Sequence, residues 1–476
     1  MNRTEPQFAA GLATRSVASA FASSVQRQPT RVAVVHSGGG LSYRRLDELS
    51  NQLAHGLRAV SGVEHPVIAA LAENNLEHTL ILLAAAKIGG TLASFNWRLS
   101  PAERDMALEL TNPDLVVTSD NLEIPRPESR GWRELVIAHP GRRTSSTPQF
   151  WEVLEAGSTR PVSGFPDPES ILTIVFTSGS TGVPKAAAIS HRALVARATV
   201  MAAELQMSKD ETYIAWTPMS HMTTSDYSLI QLIIGATVAI VDGFDVARIA
   251  ELLASRPVGW LPVMPGTYGP FLDEMRRRPP HRLRVVGAMA DLLQPSLIAE
   301  VTSVTGAQFF NSFGSTEAGT VPVPATLIPV GVVPTTLRKK QTAFCDVRLV
   351  DENGDECAIE QPGELLVRGP TLFSGYWRNP DATAADLFDG WYRSGDILVR
   401  HDDGTLDFVD RRKYMIKSGG ENIYPAEVER ALKDHPAVAE AAVVRAVDQQ
   451  WGERGVAFVV RAPGADVSAT ELIDHV

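Results

Sequence analysis

The 476-residue chain carries 44 Lys and Arg against 55 Asp and Glu, a formal net charge of −11, with 44% hydrophobic and 21% charged residues. That acidic balance argues against a nucleic-acid binder, whose affinity is mainly electrostatic, and the length calls for roughly two to four domains. Two cysteines, Cys345 and Cys357, exclude a disulfide framework and a cysteine-built zinc cluster, and no apolar run reaches the ~18 residues of a membrane span.

From the N-terminus, the Ala/Ser/Arg-rich start contains Glu5 and lacks an apolar signal core; it reads as a frayed end leading into a first helix. Residues 31–35 read as a strand. Ser42 is placed to cap a helix whose apolar side is Leu46, Leu49, Leu53, Leu57 and Val60. A strand at 67–71, a helix opening at 79–86 and stopping at Gly89 and Gly90, and a strand at 114–118 follow. The stretch 120–165 is rich in Pro, Ser and Arg and reads as the least ordered part of the first half. The alternation resumes with strands at 171–176, 214–216, 237–241, 259–263 and 284–287, and helices at 189–205, 246–255 and 292–305. Strands alternating with helices imply buried, largely parallel sheets. After about residue 335, short strands at 344–351, 363–369 and 406–410 are separated by turns such as Asn353-Gly354 and Asp403-Gly404, so hairpins and a small antiparallel or barrel-like subdomain are expected. A last unit begins near Lys413, with a helix at 426–434 and strands at 438–444 and 455–460. The short basic runs 276–278 and 338–340 read as solvated edges.

The richest local signal is Ile174-Val-Phe-Thr-Ser-Gly-Ser-Thr-Gly-Val-Pro-Lys185. Three apolar residues end a strand, and Thr177, Ser178, Gly179, Ser180, Thr181 and Gly182 form a polar loop before Pro184 and Lys185. Such a loop can wrap anionic oxygens with backbone N–H groups, hydroxyls and one ammonium. It departs from the GxxxxGK[ST] rule, since Pro184 and Ala186 stand where Gly and Ser or Thr are required. Alone, it also reads as a solvent-exposed Ser/Gly linker. Further along come Phe313-Gly-Ser-Thr-Glu-Ala-Gly319, Gly363-Glu-Leu-Leu-Val-Arg-Gly369 running on to Gly375-Tyr376, Tyr392-Arg-Ser-Gly-Asp396, Asp410-Arg-Arg-Lys413 and Ile416-Lys-Ser-Gly-Gly-Glu-Asn-Ile-Tyr-Pro425.

With these segments in this order, the chain resembles the adenylate-forming superfamily of acyl-CoA synthetases, adenylation domains and beetle luciferases, from about residue 15 to 475. The resemblance implies an α/β fold: a large N-terminal domain (1–410) of two mostly parallel α/β subdomains and a small β-barrel-like subdomain (about 335–410), a hinge at 411–413, and a small α+β C-terminal domain (414–476). It also implies roles. Thr177 to Lys185 would hold the β- and γ-phosphates of ATP, Thr181 and Glu317 would place Mg²⁺, and Thr316 would contact the α-phosphate. Asp396 would accept from the ribose hydroxyls with Arg411 beside it, and Phe313 would stack on adenine. Attack of a carboxylate on the α-phosphorus gathers negative charge on phosphoryl oxygens, which is why a cationic clamp and a metal belong there.

On the acyl side, Pro218-Met-Ser-His221 resembles the family segment whose His sits at the pocket wall, where a structural histidine is the other reading. Thr223, Thr224, Ser225 and Asp226 follow where the family has a glycine, giving a bulkier and more polar entrance. Gly287 and Ala288 would line the same pocket, with Gly314 and Ser315 as its back wall, favouring a small or medium, polar or aromatic acid. Asp226 is a candidate for recognising a substrate amine. Lys413 would be the pivot of a domain rotation that brings Ser418, Gly419 and Gly420 toward the thiol substrate. The family's adenylation lysine, in a Pro-x-x-x-x-Gly-Lys setting, falls beyond Val476; the expectation is that a further C-terminal segment belongs to the protein, and that this chain binds nucleotide while adenylating poorly.

The resemblance therefore implies an AMP-forming acid–CoA ligase, with ATP, Mg²⁺ and CoA as cofactor and co-substrates, in the cytoplasm, and with a homodimer as one permitted state. Transfer to a carrier-protein phosphopantetheine or an amine is one alternative. A non-catalytic nucleotide-binding regulator is another: the intact phosphate loop, Glu317, Asp396 and Arg411 count against it.

Overall fold

Ser42 accepts a hydrogen bond from Arg45 N and caps the helix Tyr43–Ser61. That helix buries Leu46, Leu49, Leu53 and Leu57 and ends at Gly62, whose φ of 71° only glycine adopts cheaply. Val60, on the same expected stripe, remains half-buried. The computed structural model describes residues 15–120, 122, 131–137, 149–177, 185–323, 326–418, 421–448 and 451–476. They fall into two compact units: residues 1–336, 342–345 and 369–390 form the first, and 337–341, 346–368 and 391–476 the second.

The first unit is built on two sheets. The larger runs in the order Leu327–Ile328, Gln308–Phe310, Arg282–Gly287, Pro257–Pro262, Thr212–Ala215, Thr237–Ile240, Val32–His36, Gly39–Ser42; every pair is parallel except the one at each end. The smaller runs Arg133–Ile137, Leu115–Ser119, Val67–Leu71, Thr91–Phe95, Ile171–Thr177, Lys185–Ser190, parallel but for the last pair. Near-continuous apolar strands, such as Leu115–Ser119 with every residue buried, are what a sheet covered on both faces requires. The expectation of two mostly parallel α/β sheets is met.

The sequence reading differs from the structure in places. The helix expected over 189–205 is His191–Glu204, because Ser190 accepts from Ala193 N and caps it. The residues before it, Lys185–Ser190, form a strand. Ala186, Ala187 and Ala188 are good helix formers, but pairing with Ile171–Thr177 on one side and with the 374–377 backbone on the other overrides that preference. The stretch 120–165 holds a strand, Arg133–Ile137, and a helix, Phe150–Ala156; residues 123–130 and 138–148 lie outside the described residues.

In the second unit, Asp346–Val350, Pro362–Arg368, Trp391–Arg400 and Leu406–Arg411 pair successively as an antiparallel ladder, so hairpins replace crossovers as expected. A second antiparallel sheet follows the order Glu421–Ile423, Ile416–Ser418, Gly452–Arg461, Val438–Asp448. Ile416, Leu432, Val438, Val443, Val467 and Leu472 make its core, with the helices Pro425–Lys433 and Ala469–His475 contributing Leu432 and Leu472. This ladder and the C-terminal residues fall in the same compact unit.

Candidate functional site

Thr177 ends one strand and Lys185 begins the next, and the two are paired in register across an antiparallel ladder. Ser178, Gly179, Ser180, Thr181 and Gly182 lie outside the described residues. The free edge of Lys185–Ser190 is occupied by residues 374–377. Ser374 N donates to Ala188 O at 2.8 Å, Ala188 N to Gly375 O at 2.9 Å, and Trp377 N to Ala186 O at 2.7 Å. This added backbone sets Tyr376 beside Lys185, whose ammonium lies 4.6 Å from the centre of the Tyr376 ring, within cation–π range. The same segment reaches the Ser-Thr-Glu turn, where Phe373 N donates to Glu317 O at 2.7 Å.

Four side chains therefore meet. The Lys185 ammonium is 2.5 Å from Asp386 Oδ2. The Tyr376 hydroxyl stands 3.0 Å from that same oxygen and 3.1 Å from Glu317 Oε1. Glu317 is buried, at 7% exposure, so a carboxylate there requires partners. Of this cluster, Lys185 and Glu317 were named from the sequence. Tyr376 stood in a quoted segment without a role, and Asp386, in the last turn of the helix Pro380–Asp386, carried no sequence signal at all.

Arg197 and Asp226 form a second centre. Arg197 Nη1 donates to Asp226 Oδ2 at 2.6 Å, and both side chains are 3% exposed. The rest of the guanidinium donates to Thr371 O (3.0 Å), Thr316 O (2.9 Å) and Glu317 O (3.3 Å). The pair fixes the backbone on which Thr316 and Glu317 stand. Asp226 is thus engaged by a buried guanidinium, and recognising a substrate amine would first require breaking that contact. Arg197 was missed in the sequence because an arginine inside an Ala-rich helix looks like a solvated one.

The expected pocket residues follow the carboxyl ends of parallel strands of the large sheet, the edge where open α/β sheets place ligands. His221 comes after Thr212–Ala215, Gly287 ends Arg282–Gly287 with Ala288 next, and Phe313, Gly314 and Ser315 come after Gln308–Phe310. Ser312 N donates to Ala288 O at 3.2 Å, joining the last two groups. Gly287 has φ +139°, and a Cβ there would lie 2.8 Å from Phe310 O, so glycine is needed for that join. Ser315 Oγ accepts from Ala318 N at 3.1 Å, and Phe313 is buried at 5% exposure. His221 caps the helix Met222–Ile234, its Nδ1 accepting from Thr223 N at 3.1 Å. Buried Asn74 holds the approach to that cap, donating to Thr217 O at 2.7 Å and accepting from Met219 N at 2.9 Å.

In the second unit, Asp396 and Arg411 are cross-strand neighbours, with Arg411 Nε 3.1 Å from Asp396 Oδ1. The Asp396 side chain is 4% exposed, so the guanidinium fixes its orientation in a buried setting. Glu364 Oε2 receives Arg393 Nη1 at 2.6 Å and Arg412 Nη1 at 2.7 Å. Lys413 is exposed in the turn that follows, its ammonium 4.8 Å from the Tyr414 ring. Ser418 ends the strand Ile416–Ser418, and Gly419 and Gly420 lie outside the described residues.

Residues 21–377 match the model of the AMP-binding enzyme family, and 427–476 that of the AMP-binding enzyme C-terminal domain. The chain is 31% identical to the indoleacetate–CoA ligase of Aromatoleum aromaticum over 94% of its own length and 88% of that protein's. It is 30% identical to the feruloyl-CoA synthase of an Amycolatopsis species, with the same coverage of 94% and 88%. Among solved structures, the o-succinylbenzoate CoA synthetase of Bacillus subtilis, in complex with its acyl-adenylate intermediate, superposes with a TM-score of 0.81 at 25% identity, covering 97% of this chain and 91% of that one. With the family match spanning residues 21–377 and so including Lys185, the Ser-Thr-Glu turn and the strands of both sheets, the chain belongs to the AMP-binding enzymes.

Proposed function

We infer that the chain is an AMP-forming acid–CoA ligase. A carboxylate oxygen attacks the α-phosphorus of ATP as the bond to pyrophosphate breaks; the CoA thiolate then attacks the acyl carbon of the adenylate and AMP leaves. The observation that carries this reading is the meeting of Lys185, Tyr376 and Glu317, which brings a cation and a buried carboxylate to one tyrosine. Lys185 would hold phosphate oxygens, Thr316 the α-phosphate, Phe313 the adenine, and Asp396 with Arg411 the ribose. Glu317 fits a divalent cation, being an oxygen ligand of the hard type Mg²⁺ prefers and buried without an arginine or lysine on its carboxylate among the described residues. Thr181 is the other proposed ligand. The metal would neutralise charge on the phosphates.

The acid is proposed to be a small or medium aryl acid, since indoleacetate, ferulate and succinylbenzoate give the relatives their names. His221 would stand at the wall of its pocket, with Gly287, Ala288, Gly314 and Ser315 supplying narrow backbone surface. Mass spectrometry of the full-length protein with ATP, Mg²⁺ and an acid panel, with and without CoA, tests the reading. One aryl acid yielding acyl-CoA and AMP is expected. AMP formed equally without CoA would point to another acceptor, a reading with a relative behind it in the fatty acid–[acyl-carrier-protein] ligase of Streptomyces coeruleorubidus, 29% identical. No product from any acid would sink the ligase reading.

A further inference from the structure

The contact between Lys185 and Asp386 is an ion pair between two side chains that are 26% and 24% exposed. Such a pair is held weakly against water and is open to exchange for a better anion. A triphosphate is that anion, carrying several charges where Asp386 carries one. The Tyr376 hydroxyl has a single proton, yet it stands within 3.1 Å of two carboxylates, Glu317 and Asp386. It can donate to one at a time. While Lys185 neutralises Asp386, the proton is best used on Glu317. Once the ammonium leaves, Asp386 is the unpaired carboxylate and draws the hydroxyl to itself.

We propose that Asp386 is the resting counter-ion of Lys185, and that Tyr376 links the departure of Lys185 to the release of Glu317. Arrival of the nucleotide phosphates takes the ammonium from Asp386, the Tyr376 O–H turns to Asp386, and Glu317 Oε1 is freed for the cation that accompanies the nucleotide. The reverse exchange restores the resting cluster when pyrophosphate leaves. The frame around the switch is rigid. Tyr376 is fixed by the Ala187 bridge and by its N–H donating to Thr383 Oγ1 at 2.8 Å, and Thr383 lies on the helix Pro380–Asp386 that also carries Asp386. The two groups that must part company, Lys185 and Asp386, therefore belong to different elements, while Tyr376 and Asp386 stay together. Asp386 and Tyr376 are positioning residues in this scheme, since each acts through Lys185 or Glu317.

The proposal rests on the reading that ATP phosphates bind at Lys185, and its test separates the two. ATP binding is measured by calorimetry without metal and with Mg²⁺, on the wild type, Asp386→Asn, Lys185→Met and the double variant. Without metal, Asp386→Asn should bind ATP roughly threefold to fivefold more tightly, because the competitor for the ammonium has gone. In the Lys185→Met background the same change should do nothing. Tyr376→Phe should shrink the gain in affinity that Mg²⁺ confers, since Glu317 is then unmasked from the start. Asp386→Ser stands in if the Asn variant unfolds at lower temperature than the wild type. Unchanged or weaker ATP binding by a folded Asp386 variant overturns the exchange while leaving the ligase reading intact. A gain of that size that persists without Lys185 also overturns it, since Asp386 would then simply repel phosphate. Failure of the wild type to bind ATP overturns both.

Discussion

Arg197–Asp226 and Lys185–Asp386 are ion pairs of nearly equal length, 2.6 and 2.5 Å, in the same unit of the molecule. The first is sealed at 3% exposure on each side, and its guanidinium spends its remaining donors on the carbonyls of residues 316, 317 and 371. The second is about a quarter exposed and shares its carboxylate oxygen with a tyrosine. Burial decides what each can do. A buried pair cannot be parted without leaving an uncompensated charge in a poor solvent, so it acts as a permanent brace. A partly exposed pair is parted at small cost and can answer to a ligand.

The contrast can be broken most directly at the brace. Arg197→Met should lower unfolding free energy by about 3–5 kcal/mol in a urea titration, since it strands Asp226 and unpairs three carbonyls. A loss under about 1 kcal/mol would mean the sealed pair is no brace. Next in size, Asp396→Asn should weaken ATP binding by about 1.5–3 kcal/mol with little change in the acid's KM, as expected of a carboxylate that serves only the ribose. Asp386→Asn should shift unfolding free energy by no more than about 1 kcal/mol, in keeping with its exposure, even as it changes nucleotide affinity. At the pocket edge, His221→Ala should cost about 1 kcal/mol through the lost helix cap, and His221→Asn should restore most of that. A change in acid preference that persists in His221→Asn would separate a pocket role from the cap.

The smallest effect concerns a third cluster, in the second unit. His401 Nδ1 lies 2.9 Å from Glu360 and Nε2 2.9 Å from Asp407, with Arg338 3.6 Å from Asp407. Desolvation disfavours its cation, and Arg338 repels it, but the hydrogen bonds to Glu360 and Asp407 outweigh both and leave the pKa raised. A raised folded pKa means the protonated ring stabilises the fold. That contribution is complete below the unfolded pKa of about 6.5 and is lost as pH rises through the folded value. A thermal-unfolding series across that range should flatten in His401→Gln.

Legibility in the sequence followed distance along the chain. The helix cap at Ser42, the strand into Thr177 and the hairpin texture after residue 335 rest on neighbours a few positions apart, and all could be read. The expected start of the helix at residue 189 failed because Lys185–Ser190 is a strand only by virtue of its partners at 171–177 and 374–377. Lys185, Glu317, Asp396 and Arg411 were visible because each stands in a dense local segment. Arg197 and Asp386 were not, since nothing around either distinguishes it from a surface charge.

The alternating α/β architecture and the family were already determined by the sequence, because periodicity and short segments are local properties. Only the tertiary structure decided which carboxylate each cation meets: Asp226 for Arg197, Asp386 for Lys185, Asp396 for Arg411. An ion pair is a through-space interaction, and residues 185 and 386 become neighbours only when residues 374–377 are laid along the edge of the smaller sheet, with the helix Pro380–Asp386 following. The same placement sets exposure, and exposure is what makes one of these pairs a brace and another exchangeable.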